Sequence, residues 1–190
     1  MKTYEELKTL FLTANRSLLV DDKDLFIHKV SERSLCGALM LHLNRAMLQS
    51  ESFEGYYTDI EYNRNCGNLN RNSSRAQIKT IRYEDGLTDN ITCDLIMHSR
   101  GKRPEQDNLI AIEMKKTGRP SREKNDDKNR LKALTKDTFN DDWSYDGVTL
   151  PEHVCRYVIG IYYEINFETS TIYLEYYRQG ERIERQSIRF

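Results

Sequence analysis

The chain has 190 residues, of which 31% are charged, yet its formal net charge is only −1 at pH 7. This length fits one domain with a substantial core, and the balanced charge excludes a globally basic nucleic-acid-binding protein, so any basic surface must be local. The four cysteines form no CxxC pair, which argues against a zinc site or a disulfide framework, and no run approaches the ~20 apolar residues of a membrane span. We therefore expect a single cytoplasmic domain over residues 1–190, without a membrane partner.

Two helices are predicted near the N-terminus. Residues 3–14 carry apolar side chains at helical spacing, which indicates a short amphipathic helix. A second helix is predicted to begin after Ser31, a residue type that caps helix N-termini. The inward stripe of this second helix consists of Leu35, Cys36, Leu39, Leu43 and Met47.

Glu32 begins the second helix and lies on its inward stripe, because it precedes Leu35, Cys36 and Leu39 by three, four and seven residues. One interpretation is a hydrated first-turn glutamate that the helix dipole stabilises. The other is an inward carboxylate that faces a site on the sheet, and the rest of the sequence favours it.

A strand and a basic segment follow. Residues 56–63 alternate like a strand, and Glu61 on it faces either the site or solvent. Residues 64–82 contain five basic residues and no acidic one, and the Asn and Ser content of the first half of this segment predicts a loop. Arg64, Arg71 and Arg75 are candidates for phosphate contacts, although a solvated loop is the commoner outcome for such a segment.

The stretch from Cys93 to Lys116 has the pattern of two strands joined by a loop. The apolar runs Cys93–Met97 and Leu109–Met114 flank a polar segment that contains Gly101 and Pro104. Short apolar runs separated by turn-forming residues are typical of adjacent strands.

Three charged residues interrupt these apolar runs: Asp94 in the first, and Glu113 and Lys115 in the second. Because side chains alternate along a strand, Glu113 and Lys115 share one face, opposite Ile112 and Met114. Charges in a buried strand are costly unless they are paired or bind a metal. We therefore interpret these residues as an active site.

Residues 115–132 form a second basic stretch, with eight Lys or Arg residues against three acidic ones. Ser121 is predicted to cap a helix whose Leu131 and Leu134 face the core. Charged runs are usually solvated faces, but a second basic stretch beside a carboxylate site favours a nucleic-acid groove. The candidate phosphate-binding residues here are Lys116, Arg119, Arg122, Lys124 and Lys128.

The C-terminal part is predicted to be rich in strands. Residues 154–165 and 171–177 form a hairpin in this prediction, and residues 182–190 add an edge strand. The many tyrosines fit the core or the sheet surface better than base stacking.

These segments together resemble the PD-(D/E)XK nuclease superfamily, the restriction-endonuclease-like fold, and within it small bacterial members. The resemblance spans roughly residues 31–135. It rests on the helix ERSLCGALMLHL, the strand DIEYNRN and the pair CDLIMHSRG and NLIAIEMKK, with a weaker similarity in DDKNRLKALT. One difference is Cys93, which stands where the family usually places a proline.

The resemblance implies an α/β core in which helices flank a central mixed β-sheet. It also implies that Asp94, Glu113, the Met114 carbonyl and Glu32 bind Mg2+, with Mn2+ as a substitute. The metal would polarise the phosphodiester and lower the pKa of a bound water. Lys115 would orient that water or stabilise transition-state charge. We expect a Mg2+-dependent nuclease that acts on DNA in restriction, repair or defence; a homodimer is left open.

Two alternatives remain at this point. One is a catalytically silent DNA-binding or scaffold subunit with the same fold, although such relatives normally lose a metal carboxylate or the lysine. The other is a structural α/β domain in which Glu113 pairs with Lys115, which leaves Asp94 and Glu32 unexplained.

Overall fold

The computed structural model describes residues 1–65, 77–83, 85–137 and 153–190. Its helices are α1 (Tyr4–Asp21), α2 (Lys23–Ile27), α3 (Glu32–Leu48) and α4 (Ser121–Thr135). Single 3-10 turns occur at Glu51–Phe53 and Pro104–Gln106. None of the described helices is both long and apolar enough to cross a membrane.

The predicted helix ends agree with the structure in one of three cases. The Ser31 hydroxyl accepts a hydrogen bond from the Ser34 N–H and caps α3, as predicted. Helix α1 is longer than predicted, since its apolar stripe continues through Ala14 and Leu18. The prediction that Ser121 caps α4 is wrong by one residue: Pro120 takes the N-cap position, and Ser121 is already helical. Proline has no N–H to lose there, which suits it to a helix start.

The described residues form ten strands, six of them in one central sheet. The strands are β1 (Tyr57–Ile60), β2 (Arg64–Asn65), β3 (Gln77–Ile78), β4 (Thr80–Arg82), β5 (Thr88–Asn90), β6 (Leu95–His98), β7 (Asn108–Lys116), β8 (Ile159–Asn166), β9 (Thr171–Arg178) and β10 (Glu181–Arg189). The central sheet has the order β1-β6-β7-β8-β9-β10, and only β7 and β8 run parallel. The predicted α/β architecture with a mixed central sheet is therefore confirmed.

Helices cover both faces of this sheet. Helix α4 connects the parallel strands β7 and β8 and packs on one face, where Leu131 and Leu134 join Ala111 in a buried cluster. Helices α1 and α3 pack on the other face, against Ile112 and Met114. The predicted alternation along β7 and the predicted inward side of α4 are thus confirmed.

Two small hairpins include the described part of residues 64–82. The parts of residues 64–82 that the structure describes pair as β2 with β3, while β4 pairs with β5. Ile81 is fully buried under α4 and anchors β4 against the core. In the first half of the segment, where the sequence predicts a loop, Arg64–Asn65 form a strand, and the rest of that half lies outside the described residues.

The predicted C-terminal hairpin and edge strand are confirmed, although the first strand begins at Ile159 and not at residue 154. Strands β8 and β9 form an antiparallel hairpin, and β10 is an edge strand of the central sheet. Tyr162, Tyr163, Tyr176 and Tyr177 are fully buried, so these tyrosines belong to the core.

The described cysteines are thiols. Cys36, Cys93 and Cys155 are free and buried. Burial raises the pKa of the Cys155 thiol to about 12, because an apolar interior disfavours the thiolate.

Candidate active site

Asp94 and Glu113 come together at the boundary between β6 and β7. Leu95 lies opposite Ile112 in this antiparallel pair, so Asp94, one residue before β6, reaches the level of Glu113. The Asp94 carboxylate accepts a hydrogen bond of 2.8 Å from the Met114 N–H. The predicted proximity of these two carboxylates is therefore present.

Helix α4 supplies an opposite charge to both Glu113 and Lys115. Nε of Arg130 donates to Oε1 of Glu113 at 2.8 Å, and the glutamate side chain is 1% exposed. Nζ of Lys115 lies 3.0 Å from Oδ2 of Asp127. Arg130 also donates to Asp127. The alternative of a structural domain assumes a direct ion pair between Glu113 and Lys115. Instead, each of these two residues pairs with a residue of α4.

The charged residues around Glu113 and Lys115 change the pKa values of these two side chains. Burial, and then the nearby Asp94 carboxylate, raise the pKa of Glu113 to about 8, against the opposing effect of Arg130. Burial alone would lower the pKa of Lys115, but Asp94 and Asp127 outweigh it and raise that pKa. The Lys115 ammonium consequently stays charged at neutral pH.

Glu32 reaches the end of β7 from α3. Its Oε1 accepts a hydrogen bond of 2.8 Å from the Lys116 N–H, and Nε of Arg119 lies 3.3 Å away. The Glu32 side chain is only 17% exposed. Burial would raise its pKa, but the hydrogen bonds from Arg119 and Lys116 lower it overall. Of the two interpretations of Glu32, the inward one matches its position.

Asp94 and Glu32 occupy the same open edge of β7. Pairing with β6 ends at Ile112, so the next N–H groups on that side, those of Met114 and Lys116, bind the two carboxylates. An extended residue directs its N–H and C=O to the same side. The Met114 carbonyl therefore projects to this edge as well, between Asp94 and Glu32.

A cavity of about 590 Å³ opens at this edge. Glu32, Asp94, Lys116 and Arg119 line it, together with Glu61 at a half-exposed position. Glu61 is paired with Arg33 at 2.6 Å. The sequence allowed Glu61 to face either the site or solvent, and the structure places it at the rim of this cavity.

The oxygen atoms at this edge are of the type that binds a hard divalent cation. Carboxylate and carbonyl oxygens are the ligands that Mg2+ takes. Asp94, Glu32 and the Met114 carbonyl provide such oxygens, whereas Glu113 is engaged by Arg130 on the α4 face. Within residues 1–65, 77–83, 85–137 and 153–190, no three His, Cys, Asp or Glu side chains are grouped closely enough to hold a metal ion.

The predicted phosphate-binding residues fall into three groups. Arg71 and Arg75 lie outside the described residues. Arg64, Arg119 and Arg122 have exposed side chains, and that of Arg122 is 93% exposed, with Asp126 4.0 Å away.

The remaining three lysines have protein partners. Lys124 pairs with Glu164 at 2.7 Å, and Lys128 pairs with Glu175 at 3.0 Å. Lys116 donates to a backbone carbonyl at 3.1 Å. A role of any of these residues in binding nucleic acid stays a prediction.

Sequence analysis missed Asp127 and Arg130. Asp127 precedes Leu131 and Leu134 by four and seven residues, so it lies on the inward stripe of α4 and is 2% exposed. The same spacing argument that singled out Glu32 would have found it.

Comparisons of the chain with protein-family models, with curated proteins and with solved structures gave no match.

Proposed function

We propose that this protein is a Mg2+-dependent nuclease with a restriction-endonuclease-like core that hydrolyses phosphodiester bonds in DNA. The observation that carries the proposal is the register of β6 and β7, which puts Asp94 level with Glu113 while Lys115 follows two residues later on the same face. Asp94, Glu32 and the Met114 carbonyl at one open strand edge add further support.

Each residue has a role in this proposal. Asp94, Glu32 and the Met114 carbonyl would hold the cation, with Glu113 joining them once it separates from Arg130. When bound, Mg2+ supplies Lewis-acid stabilisation of the phosphate and an acidified water. Lys115 would keep its ammonium protonated and donate to the charge that develops on the phosphate oxygens.

The cavity at the strand edge supports a phosphate-containing substrate. Lys116 and Arg119 line the cavity beside the acidic donors, and exposed Arg122 follows on α4. Such cations position a backbone phosphate without reading sequence. We also propose a cytoplasmic location, which the free buried thiols of Cys36, Cys93 and Cys155 support.

One observation favours a second candidate, a non-catalytic domain with the same fold. Glu113 and Lys115 each have an opposite charge within 3.0 Å on α4, so ion pairing alone could account for both. In that case the protein would bind DNA or a partner without cleaving it.

A cleavage assay separates the two candidates. Supercoiled plasmid, linear duplex, single-stranded DNA and RNA are incubated with the protein in Mg2+, in Mn2+ and in EDTA. The nuclease proposal predicts metal-dependent cleavage of DNA that Asp94→Asn abolishes. Cleavage that Asp94→Asn leaves intact, or no cleavage of any substrate by the folded wild type, would contradict the proposal.

A further inference from the structure

Strand β10 separates its charged residues by face. Glu184 lies on the face of the sheet that α1 covers, where it pairs with Lys8 at 2.5 Å. Arg185 lies opposite Glu175 of β9, on the face where α4 packs. The strand pairing shifts between Arg182 and Glu184, and this β-bulge turns Arg182 to the side of Arg185 instead of the side of Glu184. The bulge therefore keeps the two arginines together on one face.

Positive charge exceeds negative charge around Glu175. Nζ of Lys128, Nη1 of Arg182 and Nε of Arg185 lie 3.0, 3.5 and 3.5 Å from its carboxylate oxygens. Because these three cations share one carboxylate, the group carries an excess of two positive charges. Glu175 is buried beneath the cations and is not part of the exposed surface, whereas the Arg185 side chain is 64% exposed. An exposed excess of positive charge favours an anionic partner.

An exposed tyrosine lies on the same face. Tyr173 precedes Glu175 by two residues in β9, so the two side chains share a face, and Tyr173 is 43% exposed. Tyr173 lies opposite Ser187 of β10. Arg185 and Arg189, both exposed, are the residues two before and two after Ser187. The tyrosine ring thus lies diagonally between two arginines of the neighbouring strand.

This face lies at the end of the sheet that carries the candidate active site. Lys115 lies opposite Glu164, and Glu164 lies opposite Tyr173. Adjacent strands are about 4.8 Å apart, so the backbone of Tyr173 is about 10 Å from that of Lys115. DNA that contacts Tyr173 and the neighbouring arginines would therefore be close to the residues that the proposed function assigns to hydrolysis.

We propose that Tyr173, Arg182, Arg185 and Arg189 form a binding face for a single-stranded segment of the DNA substrate. The arginines bind phosphates and the tyrosine ring stacks on a base, which is the combination that proteins use to hold single strands. A base inside a duplex is already stacked on both sides, so the ring selects unpaired DNA. This inference rests on the proposed nuclease function, which supplies DNA as the ligand. It deepens that function by naming the substrate class, DNA with a single-stranded segment.

The test is fluorescence anisotropy of labelled oligothymidine with the full chain, in EDTA so that no metal-dependent cleavage occurs. Arg185→Gln should reduce the slope of log K against log salt by about 0.7, the value for one phosphate contact on a single strand. The matched control is Arg178→Gln, because Arg178 is an exposed arginine of β9 that lies over the Tyr4 ring on the opposite face. This control should leave the slope unchanged.

Substitutions of Tyr173 test base stacking separately from charge. Tyr173→Leu removes the ring and should weaken oligothymidine binding about tenfold, with the same salt slope as the wild type, since no cation is lost. Tyr173→Phe keeps the ring and should bind within about twofold of the wild type. Neither substitution should change the binding of a blunt-ended duplex of the same length.

Three outcomes would overturn the inference: a wild-type salt slope in Arg185→Gln, an equal change of slope in Arg178→Gln, or wild-type binding of oligothymidine by Tyr173→Leu. Displacement of the oligomer by polyglutamate as readily as by unlabelled oligothymidine would also overturn it, in favour of an acidic protein partner. The nuclease proposal is unaffected by these outcomes when the wild type cleaves DNA in Mg2+. A wild type that binds oligothymidine through this face but cleaves no DNA contradicts the nuclease proposal alone.

Discussion

Oε1 of Glu32 accepts a hydrogen bond of 2.8 Å from the N–H of Lys116, so the first residue of α3 closes the open edge of β7. This contact joins an element on one face of the sheet to the strand that carries Glu113 and Lys115. The N–H that Glu32 binds, on Lys116, is two residues along the strand from the N–H that Asp94 binds, on Met114.

The first prediction concerns Glu32. Glu32→Gln keeps an oxygen for the Lys116 N–H and loses an ion pair with Arg119, whose side chain is 52% exposed, so unfolding free energy should fall by less than about 1 kcal/mol. Glu32→Ala leaves the N–H without its acceptor and should cost about 1–3 kcal/mol. Metal-dependent cleavage should fall sharply in both variants. Urea denaturation and the plasmid assay measure the two effects, and full activity in Glu32→Gln would remove Glu32 from the metal site.

The second prediction concerns pH in the absence of metal. The folded-state pKa of Glu113 is about 8 against an ordinary value of 4.5, so the native protein retains a proton that the unfolded chain releases. The slope of unfolding free energy with pH is then negative between about pH 4.5 and 8. This contribution is fully present below pH 4.5 and is lost as pH rises to about 8.

Glu113→Gln isolates this effect, because glutamine does not titrate. Urea denaturation in EDTA at pH 5, 6.5 and 8 should show a smaller loss of stability with pH in the variant than in the wild type. Parallel pH dependences in the two proteins would show that Glu113 does not retain a proton in the folded state.

The third prediction separates exposed from paired cations. If Arg119 and Arg122 contact duplex phosphates, neutralising both should reduce the slope of log K against log salt by about 0.9 for each phosphate that the variant no longer neutralises. Lys124 is 16% exposed and bound to Glu164, so Lys124→Gln should lower stability and leave the slope nearly unchanged. Fluorescence anisotropy with a labelled duplex at several salt concentrations measures the slopes. A larger change in Lys124→Gln than in the arginine variant would reverse the assignment.

Sequence periodicity predicted the parts of the fold that local pattern determines. The alternation along residues 109–115 fixed which face carries Glu113 and Lys115, and the spacing after Ser31 fixed the inward side of α3. The mixed sheet follows from the same patterns once α4 is recognised as a connection between parallel strands.

Long-range pairing accounts for what the sequence could not predict. Lys124 and Lys128 belong to a basic stretch along the chain, yet their partners Glu164 and Glu175 lie 40 and 47 residues away. The number of basic residues in a segment therefore does not show how many of them are exposed and unpaired. That depends on how the helix packs against distant strands.

The central claim is that Glu113 and Lys115 serve a metal-dependent reaction rather than a structural ion pair. A structural role predicts that removing either charge strands a buried partner and destabilises the fold by about 3–5 kcal/mol, with no dependence on Mg2+. A metal site predicts that Mg2+ raises the melting temperature of the wild type, since the ion binds only the folded protein.

The most direct test is thermal melting of wild type, Glu113→Gln and Lys115→Met with and without Mg2+, with cleavage of supercoiled plasmid measured on the same samples. We expect Mg2+ to stabilise the wild type and Lys115→Met but not Glu113→Gln, and we expect both variants to lose cleavage. The control is Glu175→Gln, which removes another carboxylate that binds a lysine of α4, Lys128. This variant should keep cleavage and the Mg2+ response. A wild type that gains no stability from Mg2+, with both variants melting early, would contradict the nuclease account.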